Sequence, residues 1–203
     1  MQKKITAAIL AGGPAKRLKG VVKANLLVEG ETIMERSFTI LNNLFSELII
    51  VTNSPDEFSE YKGCLIIGDY FKGIGPLAGI HSALKSASGD AVFIFAGDMP
   101  LLSSELIKKQ TTLYSELECD ILVPRIGAAI EPLHSIYSRS VLQKLEDYLA
   151  SGGSRAVRDF FQVADVRFMD LGEEMNSIFF NINTPSDIVE IERIFKTGRN
   201  KTL

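Results

Sequence analysis

The chain has 203 residues, enough for one full-sized hydrophobic core with at most a small appendage. Its 46% hydrophobic and 23% charged residues are the balance of an ordinary globular protein, which excludes collagen-like and disordered classes. A formal net charge of −3 excludes a general basic field for coating nucleic acid, so any anion site must be a local concentration of Lys and Arg.

From the N-terminus, MQKKITAAILAGG has two lysines and an apolar run, but the run is too short for a signal-peptide core and breaks at Gly12. No stretch approaches the length of a membrane span, and the expectation is a cytoplasmic protein without membrane or nucleic-acid partners. Ile5 to Leu10 is a continuous apolar run ending in glycines, as in a buried parallel strand. Thr32 to Leu44 carries Ile33, Phe38, Leu41 and Leu44 near helical spacing. Leu48 to Asn53 and Leu65 to Asp69 read as strands, Leu77 to Ala87 as a helix, and Ala91 to Asp98 as the most apolar strand of the chain.

Ser104 to Tyr114 predicts a helix, Ile121 to Pro124 a strand, and Pro132 to Tyr137 a further strand, antiparallel to the rest. Helices follow over Ser140 to Ala150 and Ser154 to Phe161, then late strands at VRFMDL and at Phe179 to Asn183. The last helix is punctuated by Thr184 as N-cap, Pro185 at its first position and Asp187 in its first turn. The tail GRNKTL reads as a frayed end.

This alternation predicts a Rossmann-like, three-layer α/β/α fold with a mostly parallel sheet, in one domain spanning 1–203. Such sheets bind ligands at the carboxyl ends of their strands. Gly12 and Gly13, Asn53, Asp69, Asp98, and Asn181 with Asn183 all fall at that edge.

Three stretches carry chemistry. In LAGGPAKRLKGVVK, Leu10 to Lys23, bare glycine N–H groups can cradle phosphate oxygens, with Lys16, Arg17, Lys19 and Lys23 supplying charge. It is neither a Walker A loop nor a dinucleotide fingerprint, and a tight turn whose lysines face water is the plainer alternative. In FAGDMP, Gly97 and Asp98 end the most apolar strand; an unpaired carboxylate there is costly unless it binds something, and Mg²⁺ suits it. A turn-stabilising Asp is the alternative there and at Asp69. In GIGPLAGIHSAL, glycines before an amphipathic helix allow a base or sugar to lie against backbone, or simply make a flexible connection.

Cys64 and Cys119 form no disulfide framework and no zinc spacing, and read as buried small apolar residues. His81 and His134 are isolated, so the metal to expect is a hard cation held by carboxylate.

Together these residues resemble the molybdenum cofactor guanylyltransferases, nucleotidyltransferases with a glycosyltransferase-A-type fold. The resemblance rests on Leu10-Ala11-Gly12-Gly13, Arg17, Gly20 and Lys23, then Asp69, Gly75-Pro76-Leu77-Ala78-Gly79, Gly97-Asp98-Met99-Pro100, and Asn181, Asn183, Thr184 and Pro185. It departs at Lys19, where the family often has glycine, and at Val22, where it often has Asp. The resemblance implies Mg²⁺-dependent transfer of GMP from GTP to the terminal phosphate of the molybdopterin cofactor, releasing pyrophosphate.

By that resemblance Gly12 and Gly13 would present N–H groups to phosphates, and Arg17 would hold the leaving β/γ-phosphates. Lys23 would neutralise the α-phosphate and Asp98 would hold Mg²⁺. Leu10, Ala11, Asn53, Asp69 and Gly75 to Gly79 would frame base and ribose, while Asn181 and Asn183 would face the pterin. A protein delivering an oxidation-prone pterin would be a further partner, though no residue names it. The alternatives are a cytidylyltransferase for the same pterin, a sugar- or polyol-phosphate nucleotidyltransferase, and a nucleotide-binding partner protein without catalysis.

Overall fold

The computed structural model describes residues 3–12 and 22–199. β1 (Ile5–Leu10) is followed by a 3-10 turn (Lys23–Asn25), a short hairpin of β2 (Leu27–Val28) and β3 (Glu31–Thr32), and α1 (Ile33–Leu44). The hairpin escapes the apolar-run reading because each strand has two residues. Its turn places Glu29 and Gly30 at φ of 55° and 85°, conformations that glycine adopts freely. α1 starts at a complete capping box: Thr32 accepts from the Glu35 amide and the Glu35 carboxylate accepts from the Thr32 amide.

β4 (Leu48–Val51), β5 (Leu65–Ile67), α2 (Pro76–Ser86), β6 (Ala91–Ala96) and α3 (Ser104–Glu116) continue the alternation. β7 (Ile121–Ile126), β8 (Ala129–Ile130) and β9 (His134–Ser138) come next, then α4 (Val141–Ala150), α5 (Val157–Phe160), β10 (Val166–Asp170) and α6 (Pro185–Arg199). The sheet order is β10-β7-β9-β6-β1-β4-β5, with β8 paired to β7. β1 lies parallel to β4 and β6, β4 to β5, and β10 to β7. β9 inserts antiparallel between β6 and β7, as the sequence predicts.

The central strands are apolar throughout because both faces are covered. Side chains alternate with a period of two. Ala7, Ile9, Ile50, Phe93 and Phe95 face the layer with Met34, Leu41, Ile107 and Tyr114 of α1 and α3. Ala8, Ile49, Val51, Val92 and Ile94 face the layer with Leu77, Ile80 and Leu84 of α2 and Val141 and Leu145 of α4. A smaller cluster docks α6 on the hairpin, joining Ile182 and Ile191 to Val28 and Ile33.

Two expectations need correction. Phe179 to Asn183 is not a strand: Glu173–Phe179 forms a 3-10 turn and the chain then crosses the sheet edge. Phe179 and Ile182 are buried in different clusters, and Ile182 makes one backbone bond, 3.0 Å to the Asp98 carbonyl, instead of a ladder. Cys64 and Cys119 are half-buried free thiols rather than buried ones, and both are pushed up in pKa chiefly by desolvation. No helix among the described residues is long and apolar enough to cross a membrane.

Candidate active site

The carboxyl ends of β1, β4, β5 and β6 open into a cavity of about 800 Å³. Leu10, Ala11 and Gly12 enter from β1, Thr52 and Asn53 from β4, Asp69 from beyond β5, and Gly97 and Asp98 from β6. Lys23, Gly75, Pro76 and Gly79 also line the cavity, and of all these residues only Thr52 is not among those sequence reasoning names. The parallel topology brings them together, since every contributing strand ends on the same edge.

Backbone contact explains the small residues. The Gly97 amide donates to the Leu10 carbonyl at 3.0 Å, and a Cβ on Gly97 would stand 3.2 Å from that oxygen and 3.4 Å from Ala24 Cβ. Gly79 packs against Leu10, whose Cδ atoms would lie 3.1 and 3.2 Å from an added Cβ. Gly75, at φ 73°, supplies the left-handed turn before Pro76 starts α2. Leu77 and Ala78 follow that turn but are fully buried and do not line the cavity, so these two named positions serve packing through their side chains.

Asn53 and Asp69 form a reciprocal pair. The Asn53 amide nitrogen donates to Asp69 Oδ2 at 2.7 Å, and the Asp69 backbone N–H donates to Asn53 Oδ1 at 3.2 Å. A carboxylate and an amide from adjacent strands are thereby held rigidly at one side of the cavity.

On the other side, Lys23 joins three segments. Its Nζ donates to Asp98 Oδ2 at 3.0 Å and to Asn183 Oδ1 at 2.6 Å. Asp98 is therefore paired, and the expected cost of a lone carboxylate at the sheet edge is offset by this ammonium. The Lys23 and Asp98 side chains keep 25% and 26% of their surface exposed, so the pair is reachable by a ligand. Asn181 is not part of this group; its amide nitrogen donates to the Phe179 carbonyl at 3.1 Å.

Gly13 and Arg17, with the neighbouring Lys16, Lys19 and Gly20, lie outside the described residues. Sequence reasoning missed Thr52, Ser54, Glu57 and Leu133 as lining residues. Leu133 carries no chemical signal and arrives because the Ala96 amide donates to its carbonyl at 2.9 Å.

The residues suit a magnesium ion. No group of three or more His, Cys, Asp or Glu that could hold a metal exists among the described residues. Asp98, one of three carboxylates lining the cavity with Glu57 and Asp69, could supply the small protein share of an ion that takes its other ligands from water and phosphate oxygens.

Comparisons with known proteins give the family and the fold. Residues 7–166 match the model of the MobA-like NTP transferase domain. A molybdenum cofactor guanylyltransferase of Desulfosudis oleivorans is 32% identical over 202 residues, covering 96% of this chain and 98% of its own. A Natranaerobius thermophilus protein named as a probable molybdenum cofactor guanylyltransferase is also 32% identical, covering 95% and 97%.

Among solved structures, molybdopterin-guanine dinucleotide biosynthesis protein A from Archaeoglobus fulgidus superposes with a TM-score of 0.79 at 26% identity, covering 95% of this chain and 99% of its own. A 4-diphosphocytidyl-2C-methyl-D-erythritol synthase from Anaerococcus prevotii, at 18% identity and TM-score 0.72, covers 96% and 97% and shares the fold. The fold is the expected glycosyltransferase-A-type nucleotidyltransferase fold.

Proposed function

The chain belongs to the family of MobA-like NTP transferase domains and is a nucleotidyltransferase, and from this we propose that it moves GMP from GTP to the phosphate of the molybdopterin cofactor. The whole chain acts as one catalytic domain in this reading. The observation that carries it is the Lys23 ammonium, held between Asp98 and Asn183 in a cavity also lined by Gly12 and Gly97. The names of the relatives support guanine as base and the pterin as acceptor.

In this reading a terminal phosphate oxygen of the pterin attacks the α-phosphorus of GTP. A new P–O bond forms, the bond to the bridging oxygen breaks, and pyrophosphate leaves with that electron pair. The attacking oxygen is already ionised, so no side-chain nucleophile is needed, and catalysis is positioning plus charge neutralisation. Lys23 serves the developing charge at the α-phosphate, and Arg17, Gly12 and Gly13 serve the other phosphates. Asp98 would hold Mg²⁺, which when bound neutralises phosphate charge as a Lewis acid. Asp69 keeps its second carboxylate oxygen for a base N–H edge while Oδ2 is held by Asn53. In this reading Asn183 would face the acceptor, while Asn181, whose amide nitrogen donates to the Phe179 carbonyl, would do so only less directly.

The test is thermal unfolding with ATP, GTP, CTP or UTP, each with and without Mg²⁺. A ligand that binds only the native state raises the midpoint with its concentration over its dissociation constant. A Mg²⁺-dependent rise with GTP alone is expected. A rise with CTP alone would make the enzyme a cytidylyltransferase, and no rise at millimolar concentration of any nucleotide would refute nucleotide binding.

A further inference from the structure

Lys23 has two anchors in the cavity, and they differ in what they must do. Asp98 Oδ2 accepts from Nζ at 3.0 Å, yet the same carboxylate is the one that would hold the metal ion. Asn183 Oδ1 accepts from Nζ at 2.6 Å and carries no charge. An ion taken up by Asp98 competes with the lysine for that carboxylate, whereas the amide anchor is unaffected.

What holds Asn183 is a third residue. Asp187 Oδ2 accepts from the backbone N–H of Asn183 and from that of Thr184, each at 2.7 Å. The bond to Thr184 is what a helix start asks of an acid in its first turn, as in a capping box. The bond to Asn183 lies one residue outside that need, and it fixes the backbone from which the amide reaches Lys23. The two backbone N–H groups, Asn183 first, lower the Asp187 carboxyl pKa, with the Lys23 charge adding the smallest part.

The scaffold supports the same link. α6 packs Ile188, Ile191 and Phe195 with Leu26, Val28 and Ile33, on the hairpin directly after Lys23. The Arg36 guanidinium lies 4.3 Å from the centre of the Phe195 ring. Backbone and side chain of the Lys23 segment are thus both tied to the C-terminal segment.

We propose that Asp187 is a positioning residue for Lys23: through the backbone of Asn183 it holds the amide that keeps the ammonium in the site when Asp98 is engaged by a metal ion. The link between the three residues stands on geometry alone, while its effect on turnover rests on the function proposed above.

A double-mutant cycle tests it. Asp187→Ala should lower kcat about tenfold and change KM for GTP less than about twofold, because the ammonium is misplaced but ground-state binding is retained. In a Lys23→Ala background the same substitution should cost less than about twofold. Asp187→Asn keeps an acceptor oxygen for both N–H groups and should restore most of the turnover, which also covers the case in which Asp187→Ala does not fold. An about tenfold loss from Asp187→Ala that recurs in full in the Lys23→Ala background would overturn the proposal and leave Asp187 as a helix cap only.

A second readout needs no activity. By ¹⁵N NMR, Lys23→Ala should shift the Asn183 side-chain amide resonance in the wild-type and Asp187→Asn backgrounds, and much less in the Asp187→Ala background, where the Asn183 backbone is released. No shift in the wild-type background, or an equal shift in all of them, overturns the proposal. If the wild type transfers no nucleotidyl group from any triphosphate, the proposed function fails while this measurement still decides the link.

Discussion

The Lys23 ammonium stands 3.0 Å from Asp98 Oδ2 although 75 residues separate the two in the chain. The pair joins the segment after β1 to the end of β6, adjacent strands in the sheet. Opposite charges at this edge offset each other's desolvation, and both remain exposed enough to exchange partners with a phosphate or a cation.

Lys23→Ala should lower turnover by about 10²- to 10³-fold, the scale seen when a preorganised charge-stabilising donor is removed. Affinity for GTP should fall much less. Steady-state kinetics beside calorimetric titration separates the two; equal losses in affinity with unchanged single-turnover chemistry would contradict a transition-state role.

Asp98→Asn should abolish the Mg²⁺-dependent part of the GTP thermal shift and leave the midpoint without nucleotide within a few degrees of the wild type. The partly exposed Lys23–Asp98 pair contributes little to the fold, since partly solvated ion pairs are worth about 1 kcal/mol or less. Differential scanning fluorimetry over a Mg²⁺ series reads both.

Gly97→Ala should weaken nucleotide binding and cost about 1–3 kcal/mol of stability. The new Cβ would sit 3.2 Å from a backbone oxygen that cannot turn aside, and 3.4 Å from Ala24 beside Lys23. The three atoms nearest a Cβ on Gly79 all belong to the Leu10 side chain, which can rotate, so Gly79→Ala should be milder. Urea unfolding of the two variants ranks them.

The pH dependence of folding should show a buried histidine. His134 is fully buried, with its ring centre 5.0, 6.0 and 5.3 Å from the rings of Phe93, Phe95 and Phe179. Its burial pushes the imidazole down to about 4 from an ordinary 6.5, its own backbone offsetting this only in part. Above 6.5 both states are neutral and the contribution is whole. Between 6.5 and 4 the unfolded chain takes up a proton that the native state refuses, so stability falls with falling pH, by about 3 kcal/mol in all. His134→Leu should flatten that limb in chemical denaturation between pH 7 and 4; an unchanged slope would remove His134 as its source.

Local chemistry was enough for much of the architecture and for the identity of many site residues. Continuous apolar runs at Ile5 to Leu10 and Ala91 to Ala96 marked strands covered on both faces, and the glycines and acids that ended them marked the ligand edge. The antiparallel β9 follows β7, one of its two partners, after a short connection, and its apolar run was legible as a strand. Side-chain direction was not legible: Leu77 and Ala78 share a motif with Gly75 and Gly79, yet helix geometry turns them into the core. Phe179 to Asn183 had the composition of a strand, but burial of Phe179 and Ile182 in separate clusters drew it across the sheet edge. Pairing was likewise decided in three dimensions. Lys23, Asp98 and Asn183 are each readable as candidates, but that one ammonium satisfies both partners depends on β1 lying beside β6 and on α6 docking against the hairpin. Composition and spacing report what each short segment prefers; contacts across 75 and 160 residues are set by how the layers pack.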